Sequence, residues 1–431
     1  MSSDKKLVVF DGKDGTALHS VANAHAGSVM ACAWAPDGAS LVTAGADKAV
    51  KVWAVSDETA ASSSCAVGAG TLGDMQVGAA WLGSGAAVSL GLNGDLSVFD
   101  APLADGGVGG GPSSVVQGVA GAFTALAFDA AAGTFLTGSA DGLVCAWTAD
   151  GVASKLKATT DPRKALSGGA HVGKVTGVAL AAGGDRVVST GFDDTLRVAG
   201  RADGAYVDGA TVKCDAQPVG LAACGDGCVV VTNSSVATYS LAGAATGAAP
   251  AQTATVGTGA WSPTCVCATA ATVLVGADDS CVYALDLDAS TGALVPGSLR
   301  KVIGPLRGKV TCLAVSPDGA KLAVGDAGRQ VSVWAAGGDY ASVVNNAWLF
   351  HTTRVTGVAW SPSGVYVASC SLDESVRVWN VDAKAERLEY KFAHKDGAAA
   401  VAFASEDEVV SVGADGCVCR WARRAPGAAS A

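Results

Sequence analysis

Short runs of alternating apolar and polar residues, separated by turns rich in glycine, proline and aspartate, follow one another along the whole chain. Residues 345–382 show this clearly: the run VTGVAWSP ends in a turn, and the alternating runs SGVYVASCS and ESVRVWNV follow it. Alternation with a period of two is typical of β-strands, because successive side chains point to opposite faces of a sheet. No stretch shows the period of an amphipathic helix. The pattern therefore predicts an all-β protein.

The strand pattern repeats at a nearly constant interval. Its template is SLDESVRVW, residues 371–379, in which the turn residue Asp373 precedes apolar residues at the third and fifth places and Trp379 at the sixth. Ten copies occur, with starts 40 to 52 residues apart. A repeat of this length that holds about four short strands is the spacing of a propeller blade. The copies start at Asp4, Asp47, Asn93, Asp141, Asp193, Asn233, Asp278, Gly328, Asp373 and Asp415.

A histidine stands about 22 residues before the turn aspartate in four of the copies. This spacing resembles the WD-repeat pattern, in which a histidine opens the blade and a tryptophan closes the third strand. The resemblance implies that the aspartate accepts hydrogen bonds from the histidine and from backbone amides, and that the tryptophan packs between sheets. We therefore expect a structural role for these residues: His25, Asp47, Trp53, Asp141, Trp147, His171, Asp193, Trp334, His351, Asp373, Trp379, His394, Asp415 and Trp421.

Ten copies exceed the four to eight blades that usually close one ring. The Gly/Pro-rich residues 101–112 follow the third copy and are predicted to be a linker. Seven copies follow, so we expect a complete seven-bladed propeller over residues 113–423 and a tail at 424–431. The segment SVVQG, residues 114–118, is predicted to close this ring as the outer strand of its last blade. Residues 1–100 are expected to form the C-terminal two and a half blades of a preceding, N-terminally truncated propeller.

Composition limits the compartment and the partners. The net charge is −10 and no dense block of Lys or Arg occurs, which argues against nucleic acid as a partner. No apolar run approaches the roughly 18 residues that a membrane span needs, and the N-terminus lacks the apolar core of a secretory signal. The 13 scattered cysteines fit a reducing compartment. We expect a cytoplasmic protein that does not bind membranes.

Catalytic, cofactor and metal motifs are not apparent. The segment GGAHVGKV has the spacing of a phosphate loop but places Val175 where a Ser or Thr is required. The pairs Cys265 with Cys267 and Cys417 with Cys419 lack the second pair of ligands that zinc needs. We expect no enzymatic activity, no cofactor, no metal and no small-molecule substrate.

The order of the divergent blades narrows the family. The segment DAQPVGLA, residues 215–222, belongs to a blade without the template His and Trp, and the linker follows the third copy. From Asp4 to Trp421 the series resembles the WD-repeat actin-interacting protein family, which has two tandem seven-bladed propellers and works with cofilin. The resemblance implies a non-enzymatic protein that binds cofilin-decorated actin filaments and promotes their disassembly. The alternative is a WD-repeat adaptor or scaffold for complexes unrelated to actin.

One position predicts a partner-binding face. Lys174, Lys309 and Arg354 each stand just before the leading valine of a first strand, so they are expected at one face of the ring, where they can meet an acidic surface such as that of actin. Trp348 and Phe350, beside His351, are candidate aromatic anchors. The alternative is that the cations are only solvated and that the aromatic residues pack between blades.

Overall fold

The computed structural model describes residues 3–36, 38–54, 63–82, 86–99, 112–116, 121–129, 133–148, 151–156, 171–202, 205–242 and 249–423. The chain divides into two compact units, Met1–Ala120 and Gly121–Ala431. Within the described residues all strands are antiparallel and no α-helix occurs, so the all-β prediction is confirmed. The predicted tail, and the predicted linker up to residue 111, lie outside the described residues.

The first unit contains three antiparallel sheets, which we call sheets a, b and c. A short 3-10 turn, Leu72–Asp74, precedes sheet c. Sheet a consists of β1 (Leu7–Phe10) and β2 (Ala17–Val21), sheet b of β3 (Val29–Trp34), β4 (Ser40–Gly45), β5 (Ala49–Ala54) and β6 (Ser63–Ala66), and sheet c of β7 (Gln76–Trp81), β8 (Ala87–Gly91), β9 (Leu96–Phe99) and β10 (Ser114–Val116).

The second unit contains seven antiparallel sheets, which we call blades 1 to 7. Blades 1 to 3 consist of β11 (Phe123–Asp129), β12 (Thr134–Ser139), β13 (Val144–Thr148) and β14 (Gly151–Leu156); β15 (Val175–Ala181), β16 (Arg186–Gly191), β17 (Thr195–Ala202) and β18 (Ala205–Lys213); and β19 (Pro218–Cys224), β20 (Gly227–Thr232), β21 (Ser235–Ser240) and β22 (Ala251–Gly257). A 3-10 turn, Ala182–Gly184, joins β15 to β16.

Blades 4 to 7 continue the same order of strands. They consist of β23 (Pro263–Ala268), β24 (Thr272–Ala277), β25 (Val282–Asp286) and β26 (Arg300–Ile303); β27 (Val310–Val315), β28 (Lys321–Asp326), β29 (Val331–Ala335) and β30 (Ser342–Trp348); β31 (Val355–Trp360), β32 (Tyr366–Ser371), β33 (Val376–Asn380) and β34 (Arg387–Tyr390); and β35 (Ala398–Ser405), β36 (Glu408–Gly413) and β37 (Val418–Ala422).

The seven blades close into a ring. The first strand of each blade contacts the first strand of the next, and β35 of blade 7 contacts β11 of blade 1. This closure confirms the predicted seven-bladed propeller. The prediction that residues 114–118 join the last blade is wrong, because Ser114–Val116 pairs with β9 of sheet c. A strand of three residues has too few positions for its hydrophobic pattern to select a sheet. In the sequence, β9 is also much nearer to this strand than the strands of blade 7 are.

The core lies between neighbouring blades, and glycines allow the blades to approach closely. In three blades the second strand carries a glycine that faces the leading valine of the next blade's first strand. A Cβ atom added at Gly138, Gly276 or Gly325 would lie 2.4 to 2.7 Å from a γ-methyl carbon of that valine. Real Cβ contacts do not reach such distances, so these sites require glycine at the present blade spacing.

All cysteines in the described residues are free thiols. Cys32 and Cys417 are exposed, whereas most of the others are buried in strands or at strand ends. Burial raises the pKa of the Cys370 thiol to about 12. No group of His, Cys, Asp and Glu side chains with the geometry of a metal site occurs among the described residues. None of the described helical segments is long and apolar enough to cross a bilayer.

Candidate partner-binding site

Four of the turn aspartates are bonded to the histidines that precede them in sequence. In blade 6, His351 Nδ1 lies 3.0 Å from Asp373 Oδ2, and the backbone amides of Thr352 and Ser375 also donate to this carboxylate. The same contact occurs in sheet b and in blades 2 and 7, at Nδ1–Oδ1 distances of 2.9 to 3.0 Å: His25 with Asp47, His171 with Asp193, and His394 with Asp415.

Each of these histidines also bonds a hydroxyl group that the sequence reasoning did not identify. His351 Nε2 lies 2.8 Å from Ser369 Oγ, and the indole N–H of Trp379 donates to the same oxygen at 2.8 Å. One arrangement of protons satisfies this series of hydrogen bonds. The indole N–H donates to the hydroxyl oxygen, the hydroxyl O–H donates to Nε2, and the Nδ1–H donates to the aspartate carboxylate. The equivalent hydroxyls are those of Thr43, Ser189 and Ser411.

A sequence signal for these hydroxyls exists, since each stands four residues before its turn aspartate. Trp53 and Trp421 donate to the hydroxyls in the same way as Trp379. Blade 2 has Ala199 at the tryptophan position, so no indole at this position donates to Ser189, which bonds His171. In blade 1, which has no histidine in this place among its described residues, Trp147 donates to Thr137 at 2.7 Å. In blade 5, Trp334 donates to Ser332 at 2.9 Å.

Burial and hydrogen bonding act in opposite directions on Asp373. Burial raises the pKa of its carboxyl group, but the hydrogen bonds from His351, Ser375 and Thr352 outweigh burial and leave the pKa below its ordinary value. The pKa of Asp193 is lowered for the same reasons. The carboxylates are thus ionised, and their lone pairs are engaged inside the blade. Asp141 differs, because it is exposed and accepts its side-chain hydrogen bond from Ser139.

The position before the first strand, which we call the lead position, is fixed in the same way in all seven blades. Its carbonyl oxygen accepts a backbone N–H from the turn between the second and third strands; in blade 2 this is Lys174 O with Phe192 N, at 2.9 Å. The next residue begins the strand, and a register shift follows at once, as between Val175 and Gly177. Such bulges redirect side chains. The lead positions are Ala122, Lys174, Gln217, Ser262, Lys309, Arg354 and Gly397.

The structure brings Lys174, Lys309 and Arg354 together around one cavity of about 430 Å³ at the centre of the ring. All three side chains are exposed, while the valines that follow them are fully buried. The remaining lining comes from the starts of first strands and from one turn residue, and among the described residues it contains no carboxylate: Phe123, Thr124, Thr264, Val310, Thr311, Val355, Thr356, Leu372 and Ala399.

The threonines of this lining also join neighbouring blades. Thr356 Oγ1 donates to Ala398 O of blade 7 at 2.7 Å, and Thr264 Oγ1 donates to Val310 O of blade 5 at 2.6 Å. Thr124 makes the same bond from blade 1 to blade 2. Because each bond ties the first strands of two blades, the rim of the cavity is held by the ring itself.

The two aromatic candidates do not line this cavity. The expectation that Trp348 anchors a partner is wrong: it is fully buried, stacks on Trp379 with ring centroids 5.1 Å apart, and donates its indole N–H to Lys384 O. Phe350 is 42% exposed, and the Arg387 guanidinium lies over its ring at 3.8 Å. The alternative, that these aromatic residues pack between blades, describes Trp348.

Comparison with known proteins gives the same architecture. The family model described as "WD domain, G-beta repeat" matches residues 15–54, 298–335 and 346–380. Among solved structures, the beta-propeller domain of Cps50 (Swd1) from Myceliophteria thermophila is similar over 70% of this chain and 96% of its own, with a TM-score of 0.53. The sequence identity is 16%, so this likeness shows the fold alone.

Several relatives align with almost the whole chain. The 66 kDa stress protein of Physarum polycephalum is 30% identical over 97% of this chain and 65% of its own length. Actin-interacting protein 1 of Drosophila melanogaster is 30% identical over 94% of this chain and 63% of its own length. The chain therefore spans slightly less than two thirds of the length of both relatives. By these matches and its propeller fold, the chain is similar over almost its whole length to WD-repeat actin-interacting proteins.

Proposed function

We propose that this protein is a non-enzymatic binder of actin filaments that cooperates with cofilin to promote filament disassembly in the cytoplasm. The observation that carries the proposal is the 30% identity to Actin-interacting protein 1 of Drosophila melanogaster over 94% of this chain. The part played by cofilin follows from the family resemblance in the order of the divergent blades.

The cavity supports the proposal on electrostatic grounds. The chain carries a net charge of −10, so an acidic partner is repelled by the protein as a whole. Lys174, Lys309 and Arg354 provide a local positive region on a rigid rim, where the attraction acts at short range. These charges favour binding of an acidic surface at this face of the ring.

Co-sedimentation with filaments tests the proposal. The purified full chain is expected to pellet with actin filaments, and to pellet more strongly when cofilin decorates them. Microscopy of labelled filaments is expected to show faster disassembly with both proteins than with cofilin alone. If the folded chain stays in the supernatant under both conditions and leaves disassembly rates unchanged, the proposal is wrong.

The second candidate function is a scaffold for complexes unrelated to actin. The same cavity favours it, because a basic cavity at the centre of a propeller suits acidic segments of many proteins, and this fold carries many functions. The two candidates differ in one outcome: a scaffold leaves filament pelleting and filament disassembly unchanged.

A further inference from the structure

The central cavity combines positive charge with exposed apolar side chains. Leu372, which lines the cavity, is 39% exposed. Phe192 is 49% exposed and its ring centroid lies 5.7 Å from Lys174 Nζ. Both residues belong to turns whose backbone amides bond the carbonyl oxygens of lead positions, so these apolar groups are fixed beside the cations. Exposed apolar groups grouped with charge are typical of binding surfaces.

None of the three cations is neutralised by a carboxylate among the described residues. Within the part of the chain that the structure describes, Lys174, Lys309 and Arg354 form no ion pair and no side-chain hydrogen bond. Their backbones are fixed by the buried valines that follow and by the turn contacts of the lead positions. A ligand therefore has to order only the ends of these side chains.

The placement of the charges indicates the shape of the ligand. Lys309 and Arg354 belong to the neighbouring blades 5 and 6, whereas Lys174 belongs to blade 2, on the other side of the ring. A ligand that pairs with all three cations therefore has to reach across the ring. A chain segment with several carboxylates can cross the cavity and pair with all three cations.

We propose that the central cavity of the ring binds an extended, carboxylate-rich segment of a partner protein, with acidic side chains on Lys174, Lys309 and Arg354 and an apolar side chain against Leu372. This inference deepens the proposed function and rests on it only in treating the ring as a surface for another protein.

The test measures fluorescence anisotropy of two labelled peptides with the full chain. One peptide carries a run of glutamates and one leucine, and the other has glutamine in place of every glutamate. The glutamate peptide is expected to bind, and the glutamine peptide is expected to bind at least about tenfold more weakly. The triple variant Lys174→Gln, Lys309→Gln and Arg354→Gln is expected to lose this preference.

Two further variants keep the test specific. Substituting Arg329, Lys391 and Lys395 with Gln removes the same charge from exposed positions outside the cavity lining, and it should leave peptide binding unchanged. Exchanging Lys for Arg and Arg for Lys at the three cavity positions keeps the charge, and it should preserve binding. Circular dichroism establishes that every variant is folded.

Several outcomes would overturn the inference. These are equal binding of both peptides, no binding of either, equal loss in the control variant, or a site that takes inorganic polyphosphate and rejects the glutamate peptide. Because the assay contains no actin, its failure is distinct from failure of the proposed function. A chain that binds the peptide but not filaments would keep the inference and remove the actin proposal.

Discussion

Asp373 accepts hydrogen bonds from His351 and from two backbone amides, at the place where the turn of blade 6 meets the next strand. Replacing Asp373 with Ala leaves these donors unpaired, so we expect the free energy of unfolding to fall by about 1 to 3 kcal/mol. Urea denaturation followed by circular dichroism measures the change.

The matched control for this substitution is Asp141→Ala. Asp141 holds the same template position, but it is exposed and no histidine bonds it in the described part of blade 1. We therefore expect a clearly smaller loss. Equal losses for the two variants would show that the histidine contact adds nothing to the stability of the blade.

The same carboxylates make stability depend on pH. The folded pKa of Asp373 lies below its unfolded value of about 3.8, so the unfolded chain takes up protons first as the pH falls. Stability from this group is therefore complete above about pH 5 and is lost as the pH falls through the unfolded pKa toward the folded one. The Asp373→Ala variant should show a shallower acid limb than the parent protein in denaturation at a series of pH values. If the stability of the variant and that of the parent protein depended on pH in the same way, the pH effect could not be assigned to Asp373.

His25 adds a step at higher pH in the first unit. Burial lowers its pKa from 6.5, although the hydrogen bond from its ring to Asp47 acts in the opposite direction. The unfolded chain therefore binds a proton before the folded chain does, and stability is lost as the pH falls below about 6.5. The direction is the same as for Asp373, but the pH window is separate.

Repetition made the histidines, aspartates and tryptophans predictable, because each recurs at a fixed distance from the next. The hydroxyl partners also recur at a fixed distance, four residues before the turn aspartate, but a hydroxyl residue at that place does not by itself indicate that it is bonded to the histidine. Ser369 and Thr43 lie inside apolar strands, where single hydroxyl residues are common, and the two residue types replace one another at this position. Only their geometry shows that they connect the histidine to the tryptophan.

At the scale of the strand, close approach between blades gives a sharp prediction. A Cβ at Gly325 in β28 would lie 2.5 Å from Cys312 Sγ and 2.7 Å from a γ-carbon of Val355 in the next blade. We expect Gly325→Ala to destabilise the ring by about 1 to 3 kcal/mol through overpacking. Thermal denaturation and hydrogen exchange in β28 and β31 measure the effect.

The control is Gly337→Ala, since a Cβ there would have no neighbouring atom within 4 Å. This variant should stay within about 0.5 kcal/mol of the parent, as surface substitutions usually do. A neutral Gly325→Ala would mean that neighbouring blades are not held at the spacing that the structure shows.

The sequence predicted where strands occur better than it predicted which strands pair and what packs against them. Ser114–Val116 was correctly predicted as extended, but which sheet it joins depends on pairing across the fold, and the pairing is with β9. Trp348 stands three residues before His351, yet its side chain stacks on Trp379 of the next blade. The alternation of apolar and polar residues predicts on which face of a strand a side chain lies, but it does not show whether another blade covers that face.

At the scale of the whole molecule, the net negative charge repels an acidic partner, whereas the cations around the cavity attract it. If Lys174, Lys309 and Arg354 attract acidic groups, filament binding should weaken as salt rises from about 50 to about 200 mM, because screening shortens the reach of each charge. Co-sedimentation across this range measures the dependence. The triple glutamine variant should bind weakly at low salt and respond less to salt, and identical salt responses in both proteins would contradict the assignment.

The number of blades was predictable because seven repeats follow residue 112, and the contact between β35 and β11 shows that they close. The single face for the three cations was also predictable, since they share one template position. The cavity itself was not, because its shape depends on how seven first strands meet around one axis, and no single repeat contains that information.

The buried cysteine thiols make it possible to follow the unfolding of each blade by chemical labelling. Cys145, Cys228, Cys281, Cys312 and Cys370 lie buried in five different blades, while Cys417 is exposed in a sixth. An alkylating reagent attacks the thiolate, which burial disfavours, so each hidden cysteine should react only when its own blade opens. Mass spectrometry of chains sampled during such labelling would read out the order in which the blades separate, without any mutation or attached dye.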